Sequence, residues 1–186
     1  MLTSDGVLDA ALSTFDSYGY SATRVPAIAE RAGSAVGSLY RLYPSKEAMA
    51  NALYRREKTR LAEALFEGLD LATPAEATFN VVWDRLTRFA VAHPQALCFL
   101  ELHHHDVYLD TASLALAATL DAQVADIIRT WQARGEVRDG DPTLLHLQVL
   151  GGFVAVVREL RRRNGGVTDE VGGLTRESAW ALLRRD

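Results

Sequence analysis

Pro26, Gly33 and Pro44 cut the stretch from Gly19 to Glu47 into two short segments, and this constrains the fold more than any other feature of the chain. Proline in a first helical turn gives up a donor that would have no partner there, so Val25-Pro26 reads as a helix start with Thr23 as its cap. Gly33 tolerates positive φ and ends that helix, placing a turn at Ala32-Gly33-Ser34. Ile28 and Ala29 face inward, and Ala29 is small enough to let a second helix cross closely. On that second helix Val36, Leu39 and Tyr43 form the inward stripe, which leaves Ser38, Tyr40 and Arg41 on other faces. Pro44 stops the second helix, and Ser45 caps the next one, whose first amides and Lys46 can together hold a phosphate. Two short helices across a glycine turn make a helix-turn-helix, and its second helix is the candidate recognition helix.

With Val7-Leu8-Asp9-Ala10-Ala11-Leu12, Phe15 and Gly19-Tyr20 before it, this spacing resembles the N-terminal domain of the TetR (tetracycline repressor) family of transcriptional regulators. The resemblance implies that Thr23, Ser38, Tyr40 and Lys46 touch DNA. Three positions depart from the family pattern: Ser34 stands where Val is usual, Ala35 where Ser is usual, and Leu42 where a His or Tyr commonly reaches a phosphate. With Ala35, Val36 and Gly37 leading the recognition helix, base reading should lean on thymine methyls and close backbone approach. Arg24 and Arg41 are the remaining long donors. The plainer alternative is that Thr23, Ser45 and Lys46 only cap and solvate helix ends.

The chain has 186 residues with 48% apolar and 24% charged content, which suits an ordinary soluble globule of one or two small domains. A net charge of -4 runs against DNA binding until it is divided along the chain. Residues 1 to 60 carry 8 basic and 6 acidic side chains, and the remainder 12 and 18. The DNA-facing segment is therefore basic, and the acidic body should repel DNA and orient the approach. The lone cysteine, Cys98, excludes an internal disulfide framework and fits a reducing cytoplasm. No basic-then-apolar leader opens the sequence, and no run reaches the roughly 18 apolar residues of a membrane span. The expected location is cytoplasmic, with no membrane contact.

After residue 45 the apolar period is helical throughout. Helices are expected near 46 to 69, 75 to 92, 95 to 104, 111 to 134, 142 to 163 and 174 to 185, with breaks at Pro74, Pro94, Gly135, Pro142 and the glycine-rich 164 to 173. The fold expected is all-α, about nine helices: a three-helix DNA-binding domain over 1–47 and an effector-binding and dimerisation domain over 48–186. Phe79, Val82, Trp83, Leu86 and Phe89 lie on one helical face, turned toward Leu97, Leu102, Leu120, Val124, Ile127 and Trp131. This cluster is either packed core or the wall of a small-molecule cavity, and the family resemblance implies a cavity. Its candidate ligand-binding residues are Phe79, Trp83, Leu86, Phe89, Glu101, His105, Tyr108 and Trp131, which combine apolar area with a few polar tips.

Leu147, Leu150, Gly151, Val154 and Val157 form an apolar stripe with a small residue at its centre. Each glycine of Gly151-Gly152 lowers helix propensity by ~1 kcal/mol, a loss that close packing of another backbone offsets. In the family the last two helices pack against their two-fold mates, so this stripe is the candidate homodimer interface; packing on the chain's own body is the alternative. His103-His104-His105-Asp106 is the one cluster with metal-ligand chemistry. Consecutive helical residues point about 100° apart, so three imidazoles cannot converge from a regular helix, although Glu101 and His105, four apart, can. No metal, cofactor or catalytic residue is assigned. The resulting expectation is a homodimeric repressor of a double-stranded DNA operator, released by a small, mostly hydrophobic effector. Alternatives are a helical interaction protein with a degenerate helix-turn-helix and a metal-dependent enzyme using His103 to His105.

Overall fold

The computed structural model describes residues 2–185, which form two compact units. The first comprises Met1–Thr59 and Gln95–Ala115, the second Arg60–Pro94 and Leu116–Asp186. Nine α-helices and one 3₁₀ turn are found among the described residues, and the single antiparallel bridge joins Val137 to Arg184.

In the first unit, α1 (Ser4–Ala22) begins under Thr3, whose hydroxyl accepts from the Gly6 amide at 3.1 Å. Its buried side is Val7, Leu8, Ala11 and Phe15, the i, i+4, i+8 pattern of a helix with one core face. Regular helical geometry breaks at Gly19, whose φ of +75° only glycine adopts without strain. Then follow α2 (Val25–Arg31) and α3 (Val36–Leu42), and the start of α4 (Lys46–Phe66) with Ser45 as cap, its hydroxyl accepting from the Ala48 amide at 3.1 Å. The unit is completed by α6 (Pro94–Leu102), the 3₁₀ turn His105–Val107 and the first residues of α7 (Thr111–Ala133). Phe15 stacks on Phe99 of α6 with ring centroids 6.0 Å apart. Asn51 pins the turn beyond α6, its amide donating to the Tyr108 carbonyl at 2.7 Å and its oxygen accepting from the Asp110 amide at 2.8 Å.

The second unit is built from α5 (Ala75–Ala92), the rest of α7, α8 (Pro142–Arg162) and α9 (Asp169–Leu183). Asp141 caps α8 by accepting from the amides of Thr143 and Leu144. The core is aromatic: Phe79 lies 5.3 Å from both Trp83 and Trp180, and Trp83 meets Phe153 edge-on at 5.5 Å. The Trp83 indole N–H donates to the Thr175 hydroxyl at 3.3 Å, which satisfies a polar tip inside an apolar core.

Two expectations are corrected. The last helix begins at Asp169 rather than near 174, because Thr168 caps it and Gly172 and Gly173 lie inside it. The rings facing Phe79 and Trp83 come from α8 and α9, while Leu97 and Leu102 belong to the first unit. By length and composition alone α7 and α8 could cross a membrane, although neither holds an unbroken run of about 18 apolar residues.

Candidate nucleic-acid interface

The corner between α1 and α2 is made by Thr23, whose side chain has a different task from the one expected. Thr23 is 3% exposed and closes α1 rather than opening α2: its hydroxyl donates to the Gly19 carbonyl at 2.7 Å. The residue in cap position of α2 is Arg24, which has no side-chain cap bond and is exposed. The hydroxyl of Thr23 is turned inward, so the Gly19 carbonyl accepts from both the amide of Thr23, at 3.2 Å, and its hydroxyl.

Gly33 has φ of +60° and turns the chain between α2 and α3 as expected. Ile28, Ala29 and Leu39 are buried where the two helices meet, and Val36 and Tyr43 are half-buried at the edges of the same stripe. The opposite face of α3 is open. Gly37 and Arg41 are exposed, Tyr40 is 46% exposed and Leu42 43%, and Ser38 is half-buried. Arg41 folds back along the helix so that its guanidinium donates to the Ser38 hydroxyl at 2.9 Å, which makes the two side chains one polar group. Tyr43 is tied back to α1 through its hydroxyl and that of Ser4. Together these features leave a short helix firmly seated on one side and bare on the other, the arrangement a groove-reading helix needs.

Lys46 does not extend into solvent. Its ammonium donates at 3.0 Å to the carbonyls of both Tyr20 and Thr23 and lies 4.3 Å from the centroid of the Tyr20 ring. The Tyr20 hydroxyl donates to Glu47 at 3.0 Å, and its ring stacks on Tyr108 at 4.0 Å. Burial, reinforced by Glu47, pushes the Tyr20 phenol well above its ordinary range. The Glu47 carboxyl is held below its ordinary value, first by its own backbone amide and then by the Ser45 hydroxyl.

The expected ligand-binding residues fall in both units. Phe79, Trp83, Leu86, Phe89 and Trp131 are buried in the second, whereas Glu101, His105 and Tyr108 belong to the first. His105 is held on both ring nitrogens: the Leu100 carbonyl, 3.0 Å from Nε2, only accepts, so Nε2 carries the proton and Nδ1 accepts from the Tyr108 hydroxyl at 2.6 Å. Glu101 pairs with Lys58 at 3.7 Å. Among the described residues no three His, Cys, Asp or Glu side chains are grouped to hold a metal ion. Within the second unit a groove of about 500 Å³ is walled by Phe66, Leu69, Leu71, Ala122 and Ile127, with Thr119, Gln123, Asp126 and Thr130 as polar points. Sequence periodicity missed it because Phe66, Leu69 and Leu71 straddle the end of α4, where no single helical stripe continues. Of the candidate dimer residues, Leu147 and Gly151 are exposed, Leu150 and Val154 half-buried and Val157 buried.

A helix-turn-helix with a bare second helix, joined to a helical second unit, defines the class of DNA-binding regulators. Residues 7–53 match the family model described as bacterial regulatory proteins, tetR family, and residues 54–184 match that of the tetracyclin repressor-like C-terminal domain. The chain belongs to the TetR family of transcriptional regulators. It is 32% identical over 138 residues to the HTH-type transcriptional repressor KstR of Mycobacterium tuberculosis, an alignment covering 74% of this chain and 59% of KstR. The chain thus spans less than two thirds of that repressor's length. Its fold is similar to that of a TetR family transcription regulator from Marinobacter aquaeolei VT8, with a TM-score of 0.83 and 20% identity over 98% of this chain and 96% of the other. It is also similar to that of the transcriptional regulator FadR from Bacillus subtilis in complex with stearoyl-CoA, with a TM-score of 0.79 and 19% identity over 97% of each chain.

Proposed function

We propose that this protein is a cytoplasmic, homodimeric repressor that leaves its operator when a small, mostly apolar effector binds the second unit. The observation that carries the reading is the bare face of α3, where Gly37, Tyr40 and Arg41 are exposed beside Ser38 on a helix anchored by Leu39. With Arg24 at the head of α2, these residues offer the short polar and aromatic groups that read base edges and the long donors that reach phosphates. Repression and effector release follow the similarity to KstR and FadR, and the apolar groove beside Phe66 suits an effector with a hydrocarbon portion.

A single α3 reaches one half-site. Two copies related by a two-fold axis place two such helices about 34 to 36 Å apart, in successive turns of the major groove. The surface proposed for pairing is the open side of α8 and α9, where Leu144, Leu147 and Leu174 are 61%, 56% and 67% exposed. Gly151, Gly152 and Gly173 share these helices, and a Cβ built on any of them would meet nothing within 4 Å. They have no steric role inside the chain, and close approach of a second backbone explains them. The same pairing accounts for the apolar surface of α8 without a membrane.

Selection of DNA fragments from a random pool tests the reading. An enriched palindromic sequence, bound with an affinity that falls steeply as salt rises, is the expected result. Failure to enrich any sequence, or binding indifferent to salt, would overturn it.

A further inference from the structure

The groove of the second unit draws its polar side chains from α7 alone. Thr119, Gln123, Asp126 and Thr130 recur every three to four residues and make a stripe about 16 Å long by the rise of a helix. The remaining wall is Phe66, at the end of α4, with Leu69 and Leu71 of the loop that follows. That loop is fixed by the protein itself. The Arg134 guanidinium donates to the Leu71 carbonyl at 2.6 Å and to the Thr73 carbonyl at 3.2 Å, and it pairs with Glu136 at 2.9 Å. Glu136 in turn accepts from the Ala75 amide at the head of α5. A wall held in this way spares a ligand the cost of ordering it.

Among the described residues that line the groove, Asp126 is the one charged side chain. Arg129 contacts Oδ1 of this carboxylate, but both side chains are exposed, and an exposed pair of this kind is weak enough for a second cation to exchange with it. An anionic head group would meet Asp126 with no lining cation to receive it. A cation gains the carboxylate, and the face of the Phe66 ring attracts positive charge as well as a hydrocarbon chain. We infer that this groove selects an organic cation with a hydrocarbon body, its charge set toward Asp126 and its chain along Phe66, Leu69 and Leu71. The inference rests on the reading that an effector binds the second unit, and it names the chemical class of that effector.

The test uses the full chain without DNA and three probes that share one hydrocarbon chain: dodecyltrimethylammonium, dodecanol and dodecanoate, each below its micelle concentration. Calorimetric titration should show the ammonium binding about tenfold more tightly than the alcohol, the size expected of one charge pair at a protein surface, and the carboxylate binding more weakly than either. Asp126→Asn should bring the ammonium and the alcohol within about threefold of each other, a change that unspecific attraction of a cation to an acidic protein does not produce. Ala122→Trp, at an exposed position of α7, should fill the groove and abolish saturable binding of the ammonium and the alcohol. Should that variant not fold, Gln123→Trp, also exposed, carries the same measurement. Equal or tighter binding of the alcohol or the carboxylate, or a selectivity that survives Asp126→Asn, would overturn the cation while leaving the groove as a site. Binding indifferent to the tryptophan, or no binding of any probe, would overturn the groove itself. An ammonium that binds there but leaves operator affinity unchanged removes the effector reading, and the site stands.

Discussion

Gly37 is a residue that the chain's own fold does not explain. Its φ is not positive, and a Cβ built on it would meet nothing within 4 Å. It sits in a seven-residue helix that has no side-chain cap at its start. Glycine there costs about 1 kcal/mol relative to alanine, so the fold would be better served by Ala. Gly37→Ala is therefore expected to raise the melting temperature, by about 0.5 to 1 kcal/mol of stability, while weakening operator binding because the new methyl stands where DNA approaches. Unchanged affinity in the stabilised variant would remove Gly37 from the interface. Glu47 supports a prediction in pH. Its carboxyl is held below the ordinary value of 4.5, so its contribution is fully present above that pH and is lost as pH falls through the lowered value. The difference in melting temperature between wild type and Glu47→Gln should be constant at neutral pH and shrink below about pH 4.5. A gap that stays constant to about pH 3 would show that the amide and hydroxyl around Glu47 do not favour its ionised form.

At the scale of elements, the seam between α5 and α9 depends on a missing side chain. A Cβ on Gly172 would lie 2.4 Å from Cγ2 and 2.6 Å from Oγ1 of Thr87, both one bond from a stem that cannot move away. Gly172→Ala should destabilise the protein by about 1 to 3 kcal/mol, read by denaturant unfolding, and Thr87→Ala in the same chain should recover most of the loss. Equal losses with and without Thr87 would show that the seam opens instead of clashing. The same contact explains why the start of α9 was illegible. Two adjacent glycines at 172 and 173 read as a break by propensity, and only the neighbour Thr87 makes glycine the residue a continuing helix requires there. The boundaries of α5, α7 and α8 were legible to within a residue or two, because proline and glycine mark their ends and a long apolar period runs between. Thr23 shows the opposite failure: its place before Val25-Pro26 matches a helix cap, and the kink at Gly19 redirects its hydroxyl to the helix behind it.

For the whole molecule, the open apolar side of α8 and α9 predicts the oligomeric state. Leu147→Glu places a charge on a side chain 56% exposed in the single chain, so the chain itself should fold with little loss. Sedimentation should show a wild-type dimer at micromolar concentration and a monomeric variant, with operator affinity falling at least about tenfold because one half-site is bound without the other. A wild-type monomer, or a variant that dimerises equally well, would remove this face from the interface.

What the sequence determined by itself is local. The ends of α5, α7 and α8, the glycine turn at 33, the inward stripe through Ile28, Ala29 and Leu39, and the open face of α3 follow from conformational preference and a 3.6-residue period, which act between neighbours in the chain. Tertiary structure decided which groups meet across long separations. It brought Trp180 to Phe79, divided the residues expected around one ligand between two units, and turned Lys46 away from solvent onto the carbonyls of Tyr20 and Thr23. Periodicity tells which face of a helix is buried but not what covers it. A lysine or threonine at a helix end has bonding partners within reach on several sides, and only the packed positions of α1 and α4 select among them.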